Sequence, residues 1–274
     1  MPHAYLTTSW DDGHPLDLRL AGMLGEHHLR GTFYVPRSAP TGTLAKSQLR
    51  ELSASFEIGA HTLDHVYLTG VPQGESERQI AQSKIWIEQT TGQGCAMFCP
   101  PAGKYARRHL PIIRDAGYLG IRSVQLLSLS PPRPVDGVLV MPTTLQVYPH
   151  SRSTYVKNSA KRHAWANLWQ YIRAGCPDDL ERLTESLLGR TVARGGVFHL
   201  WGHSWELQRH DQWDRLRRVL RLMQRFASEA PCLTNGQICR AVNHRAIAPP
   251  AQQASPATGF EGGAQNDCRK TFQQ

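Results

Sequence analysis

The chain has no apolar run approaching the ~18 residues needed to cross a bilayer, and Asp11, Asp12, Asp17 and Arg19 interrupt its first twenty positions. Neither a spanning helix nor the apolar core of a secretory leader fits there, so the expectation is a soluble, cytoplasmic chain without stable membrane insertion. Paired cysteines are missing as well. Cys95, Cys99, Cys176, Cys232, Cys239 and Cys268 are scattered and form no C-x-x-C, which argues against a thiolate zinc site and against a disulfide-stapled secreted domain. Acidic residues are in deficit, 22 against 31 Lys and Arg. The basic residues are spread along the chain, apart from RLRRVLR at 215–221, whose spacing is that of a solvated helix face. No aromatic and basic reading motif accompanies the charge, so nucleic acid is not an expected partner.

What the sequence does have is alternation. At 274 residues and 40% hydrophobic content, one large domain is expected over residues 1–245. AYLTTSW (4–10) reads as a strand stopped by DDG, DLRLAGMLGEHH (17–28) has helical apolar spacing, and GTFYVP (31–36) is β-branched, aromatic and closed by proline. The rhythm recurs through SQLRELSAS, EIGAHT, GESERQIAQSKIWIEQTTG, AMFCPP, RHLPIIRDAG and YLGIRSV. Alternating strands and helices at this spacing predict an α/β fold, parallel strands joined by right-handed crossovers. Between 124 and 160, prolines at 131, 132, 134, 142 and 149 break any period. A helix at about 178–193 then leads into GGVFHLWGH, and WDRLRRVLRLMQRFAS is a strong final helix. The stretch 246–274, rich in Ala, Pro, Gly and Gln, is expected to be a disordered tail. Six to eight strands fit either a closed barrel or an open doubly wound sheet, and in both the chemistry collects where strands end.

Metal-binding side chains recur just past those strand ends: Asp11 and Asp12 after the first, His61 and His65 at the third, His199 and His203 at the last. Taken singly, Asp11 and Asp12 read as a turn or helix cap and His61 as a satisfied core histidine. Taken together, two imidazoles four residues apart plus the Asp12 carboxylate make a three-ligand site with a position left for water. A carboxylate committed to a metal takes a proton poorly, so the adjacent Asp11 is the candidate base, and a histidine suits the acid that protonates a leaving amine at neutral pH.

TSWDDG, GTFYV, EIGAHTLDH, FCPPAGKY and GGVFHLWGH, in this order over roughly residues 4–243, resemble the successive motifs of the polysaccharide deacetylases, the NodB-homology or carbohydrate esterase family 4 enzymes. The resemblance implies a distorted (β/α)7-type barrel, with Asp11 as base and Asp12, His61 and His65 holding a divalent metal. Zn2+ is the expected ion, with Co2+, Ni2+ or Fe2+ as alternatives. Three departures stand out. The third motif normally opens with an arginine that pairs with the base aspartate; here Cys99 holds that place ahead of Pro100 and Pro101. Arg122, one strand later in GIRSV, is the proposed replacement, against the plainer reading of a barrel-exterior arginine. The tryptophan motif that lines the acetate pocket has no clean match in 124–160, and Trp201 is the substitute, against a plain core aromatic. The closing L-x-H corresponds to either His199 or His203. His203 is favoured as the acid because it lies nearer the strand's end, leaving His199 a supporting pocket residue.

The function expected is therefore hydrolysis of an N-acetyl amide on an amino sugar or glycan, with a carbohydrate or other N-acylated small molecule as partner and the oligomeric state open. Hydrolysis of a non-sugar amide, as in allantoinase-like members of the superfamily, and a metal-retaining but inactive glycan-binding domain are the alternatives. The ligand set alone also suits a non-haem Fe(II) oxygenase, which has no use for a base fixed beside the metal.

Overall fold

In the computed structural model, residues 3–247 are described, except 149, 162 and 178. The expected tail lies outside the described residues but for its first two positions.

Strands β1 (Ala4–Asp11), β2 (Gly31–Val35), β3 (Glu57–Ala60), β4 (Met97–Phe98) and β5 (Gly120–Arg122) pair in that order, all parallel. Helices α1 (Asp17–Glu26), α2 (Lys46–Ser53), α3 (Gln73–Thr91) and α4 (His109–Asp115) supply the crossovers. This first half follows the predicted alternation. An antiparallel hairpin, β6 (Arg133–Val135) with β7 (Val138–Met141), then extends the sheet beyond β5. Beyond β7 come β8 (Leu145–Gln146), α5 (Arg152–Lys161), α6 (Trp165–Arg173), α7 (Leu180–Arg194), β9 (Gly196–Gly202), α8 (Ser204–Arg209), α9 (Trp213–Phe226) and α10 (Asn235–Ile247).

The sheet order, β6-β7-β5-β4-β3-β2-β1-β9-β8, places β1 between β2 and β9. Its last six residues are buried, as a strand covered on both faces must be. The chain itself curls this sheet into the distorted barrel. From β7 it passes through Pro142–Thr144, where the Thr143 N–H donates to Gln125 O and the Thr144 N–H to His199 O, into β8, which pairs with β9. Proline 142 cannot donate to a ladder, so the seam is closed by irregular bonds.

Two apolar cores follow. One lies between strands and helices and includes Leu6, Trp10, Phe33 and the inward face of α9, namely Trp213, Leu216, Val219, Leu220 and Met223. The other fills the barrel with Tyr34, Met97, Cys99, Leu139, Met141 and Val197, plugged by Ile238 and Cys239 of α10. That last helix is tied down by polar bonds. Thr7 Oγ1 donates to Asn235 Oδ1, Asn235 Nδ2 to Tyr34 Oη, and the Gly236 N–H to Glu57 Oε2. A carboxylate at a helix N-terminus is favourable, and a Cβ at position 236 would stand 2.1 Å from Glu57 Oε1, so a larger residue there would have to displace that carboxylate.

Candidate active site

The DDG turn that ends β1 is shaped by its backbone. Asp12 has φ 78° and Gly13 φ 61°, and a Cβ on Gly13 would meet Val35 Cγ1 at 2.5 Å. A left-handed φ is uncommon for a non-glycine residue and marks a position held by its surroundings. It points the neighbouring carboxylates of Asp11 and Asp12 into different environments.

Asp12 faces two imidazoles. Its Oδ1 lies 3.4 Å from His61 Nε2 and 3.0 Å from His65 Nε2, while Trp205 Nε1 donates to its Oδ2 at 2.8 Å. HTLDH forms neither helix nor strand after β3. Thr62 and His65 also take positive φ, 58° and 54°, and the Thr62 hydroxyl accepts from the Val66 N–H at 3.1 Å, which folds the segment so that the two rings lie 5.2 Å apart. Asp64, between them, points away and is occupied by Arg37, Arg78 and Gln79. Burial works to raise the Asp12 carboxyl, but hydrogen bonds with His61 and His65 and the charges of His61 and His203 outweigh it and hold it far below the usual range.

The donor set fits a divalent ion. His61 Nδ1 lies 2.7 Å from Cys99 O; a carbonyl accepts only, so Nδ1 donates to it and Nε2 is the ring atom turned toward Asp12. A backbone carbonyl on the far ring nitrogen is how metal-bound histidines are fixed. Asp12, His61 and His65 offer ligand atoms all within 4.8 Å of one another, and so do Asp11, His61 and Cys99. Burial pushes the Cys99 thiol well above its ordinary value, so the second trio lacks a ready thiolate.

Asp11 belongs to a different set of partners. Arg122 Nη2 donates to its Oδ1, and both side chains are buried. The guanidinium lies over the Trp201 ring at 4.6 Å and near Tyr34 at 5.4 Å, an arrangement open to arginine because its planar cation stacks on aromatic faces. Burial would raise the Asp11 carboxyl, but Arg122, with lesser help from His61 and His203, brings it below the ordinary value. The barrel-exterior reading of Arg122 is thus set aside: it is fully buried on the same carboxylate as the missing arginine would serve. Cys99 Sγ sits 4.0 Å from Asp11 Oδ2.

The two histidines of β9 and its end separate cleanly. His199 is buried inside the barrel, its Nε2 2.8 Å from Ser9 Oγ and its Nδ1 3.1 Å from Pro142 O, and burial, with Arg122, pushes it down to about 3. His203 Nε2 lies 3.9 Å from Asp11 Oδ2 and its Nδ1 2.6 Å from Glu206 Oε2. Burial opposes its charge, yet the Glu206 hydrogen bond and the Asp11 charge raise it to about 9. Trp201 packs against both Arg122 and His203. Pro100 and Pro101 are buried in the turn after β4, next to Cys99.

Glu206 and Trp205 are absent from the expectations drawn from sequence. A signal existed: HSWE puts Glu206 three residues after His203, one turn along a helix that starts at Ser204. Asp17, on α1, is a third surprise, buried with neither carboxylate oxygen bonded and pushed well above its ordinary value by burial.

Residues 2–121 match the family model described as polysaccharide deacetylase. An uncharacterized protein of Streptomyces coelicolor is 29% identical over 120 residues, and the match covers 42% of this chain and 45% of that protein, so the chain spans under half the length of the curated relative. Among solved structures, a protein assigned as a polysaccharide deacetylase from Mycobacterium smegmatis superposes with a TM-score of 0.65 at 15% identity, covering 90% of this chain and 93% of that one. The chitin deacetylase of Colletotrichum lindemuthianum gives 0.55 at 13% identity, covering 87% and 90%. A xylanase-associated esterase domain from the hindgut metagenome of Trinervitermes trinervoides gives 0.54 at 11%, covering 88% and 92%. Over residues 2–121, which hold the first four motifs, the resemblance to the polysaccharide deacetylase family is borne out, and the chain as a whole shares the distorted barrel fold of the solved deacetylase structures.

Proposed function

We propose that the chain is a metal-dependent hydrolase that removes an N-acetyl group from an amino sugar or glycan. The observation that carries this reading is the convergence of Asp12, His61 and His65 beside a second carboxylate, Asp11, that has its own cationic partner. A divalent ion held by Asp12, His61 and His65, most simply Zn2+, would polarise the amide carbonyl and ease deprotonation of the attacking water.

The chain's own residues supply the rest. Asp11 stays ionised because Arg122, with His61 and His203, outweighs its burial, so it is available to accept the water's proton as the nucleophile adds. Arg122 makes no contact with substrate in this scheme; it fixes which Asp11 oxygen faces the site. His203 enters protonated, being raised to about 9, and releases its proton to the departing amine. Its Nδ1 is held by Glu206, leaving Nε2 as the atom that gives the proton up. Trp205 orients Asp12 from behind, as outer partners of metal ligands do. His199, bonded on both ring nitrogens and pushed toward neutrality, is a packing residue. Trp201, with Pro100 and Pro101, supports the site wall. The alternative of an inactive glycan-binding domain drew on the missing third-motif arginine, and the Arg122–Asp11 pair removes that motive.

Acetate release from a panel of N-acetylated sugars in the presence of Zn2+ tests the reading, with Asp11→Asn as control. Loss of release by at least 100-fold in the control is expected; release that survives it removes Asp11 from the chemistry.

A further inference from the structure

The hairpin α5–α6 has a surface unlike the rest of the molecule. Among the described residues six large hydrophobic side chains are exposed, and four of them lie here: Trp165 at 60%, Trp169 at 57%, Ile172 at 47% and Val156 at 44%. Trp165, Trp169 and Ile172 follow one another at i, i+4 and i+7 on α6, so they share a stripe. The opposite face of α6 makes the fold's contacts, with Asn167 Nδ2 donating to Leu126 O and the Tyr171 ring against Tyr155. The stripe is therefore surplus to packing.

Its charge is equally one-sided. Residues 137–177 contain no aspartate or glutamate, while Arg152, Lys157, Lys161 and Arg173 all fall on the hairpin. Tryptophan and isoleucine flanked by cations only are the composition that settles into the headgroup layer of a negatively charged bilayer, indole rings at the interface and cations among the phosphates. Stacking platforms for sugars use aromatic faces with hydrogen-bonding side chains at the rim; Ile172 and Val156 have no place in one. No helix of the described residues is long and apolar enough to cross a membrane, so the contact lies in the surface plane.

We propose that α5–α6 docks the protein on an anionic lipid bilayer. The hairpin's base adjoins the candidate active site: His150 Nε2 lies 3.0 Å from Gln146 Oε1, and Gln146 Nε2 donates to Glu206 Oε2 at 3.1 Å. Docking thus brings the His203 side of the barrel close to the lipid surface.

Sedimentation of the full chain with vesicles tests this, using phosphatidylcholine alone and phosphatidylcholine with about a third phosphatidylglycerol. Binding is expected to the anionic vesicles, at least tenfold stronger than to the neutral ones, with a blue shift of tryptophan emission. The double substitution Trp165→Ala, Trp169→Ala and the charge reversal Lys157→Glu, Lys161→Glu should each lower binding at least tenfold with an unchanged circular dichroism spectrum. Arg217→Glu with Arg221→Glu on α9 should leave it within twofold. Absence of vesicle binding, binding that survives both hairpin variants, or equal loss from the α9 variant overturns the proposal. So does retention on immobilised N-acetylglucosamine oligomers without vesicle binding, which would assign the indoles to sugar stacking, or a concentration-dependent dimer that the hairpin variants abolish without vesicle binding.

Discussion

Replacing Arg122 by methionine keeps most of the side-chain volume between Tyr34 and Trp201 and removes the cation from Asp11. In the wild type both partners are buried, so the substitution strands a carboxylate in a low-dielectric interior, and breaking a buried pair in this way costs about 3–5 kcal/mol. The pH dependence has a definite sign. The Asp11 carboxyl lies below its ordinary value in the folded wild type, so its contribution to stability is present above its unfolded value near 3.8 and fades as the pH falls through the lower folded value. Without Arg122 the burial term prevails and the carboxyl rises. The gap between wild type and variant is therefore widest at neutral pH and narrows in acid. Urea unfolding at pH 7 and pH 4 measures it. Catalysis should suffer separately, by about 100-fold or more in kcat/KM, or ~2.7 kcal/mol, with one metal per chain retained because Asp12, His61 and His65 are untouched. The double variant Asp11→Asn, Arg122→Met should recover a substantial part of the stability without recovering activity, since neither unpaired charge remains. Acetate release by Arg122→Met at the wild-type rate, or stability equal to wild type at pH 7, would refute the pairing argument.

Glu206→Gln withdraws the carboxylate that raises His203 to about 9, so the alkaline limb of kcat/KM should begin near pH 9 in the wild type and move at least one unit lower in the variant. An unmoved limb would separate His203 from proton donation. Trp205→Phe deletes the hydrogen bond to Asp12 Oδ2 and should weaken Zn2+ affinity about 10–100-fold, read by competition with a chromophoric chelator, whereas His61→Ala should abolish stoichiometric binding. Cys99→Ala should change activity less than threefold, and a thiol reagent should leave the folded enzyme active, since the buried thiol is held well above its ordinary value; rapid inactivation through Cys99 would contradict that.

The first half of the chain was legible because each strand is short, apolar and stopped by a turn residue, and each helix carries one apolar stripe. That put Asp11, Asp12, His61 and His65 at strand ends, where they come together, and suggested Arg122 from its place one strand beyond Cys99. The second half resisted for physical reasons. Prolines between 131 and 149 hid β6 to β8, whose pairing depends on distant partners rather than local pattern. Helix α6 has the apolar spacing of a core helix, but its tryptophans face outward, so tertiary context reverses what periodicity implies. Helix α10 was missed although TNGQ announces it: Thr234 and Gln237 bond each other's backbone N–H groups, a capping box readable from residues 234–237. Glu206 was readable from its place three positions after His203, whereas Trp205 was not: its partner Asp12 is 193 positions away, and the pairing of β1 with β9 brings the two together.

The arginine on Asp11 comes from within a strand, whereas Cys99, in the place of the motif arginine, lies just past the end of β4. On β5, Arg122 is aligned with Met141 of β7, so its reach is set by the register of the barrel wall rather than by the conformation of a turn. What the chemistry requires is a guanidinium at one point in space, and neighbouring staves of the barrel can deliver it. A chain that lacks the usual arginine can therefore still set a cation on the Asp11 carboxylate, provided the next stave round carries it.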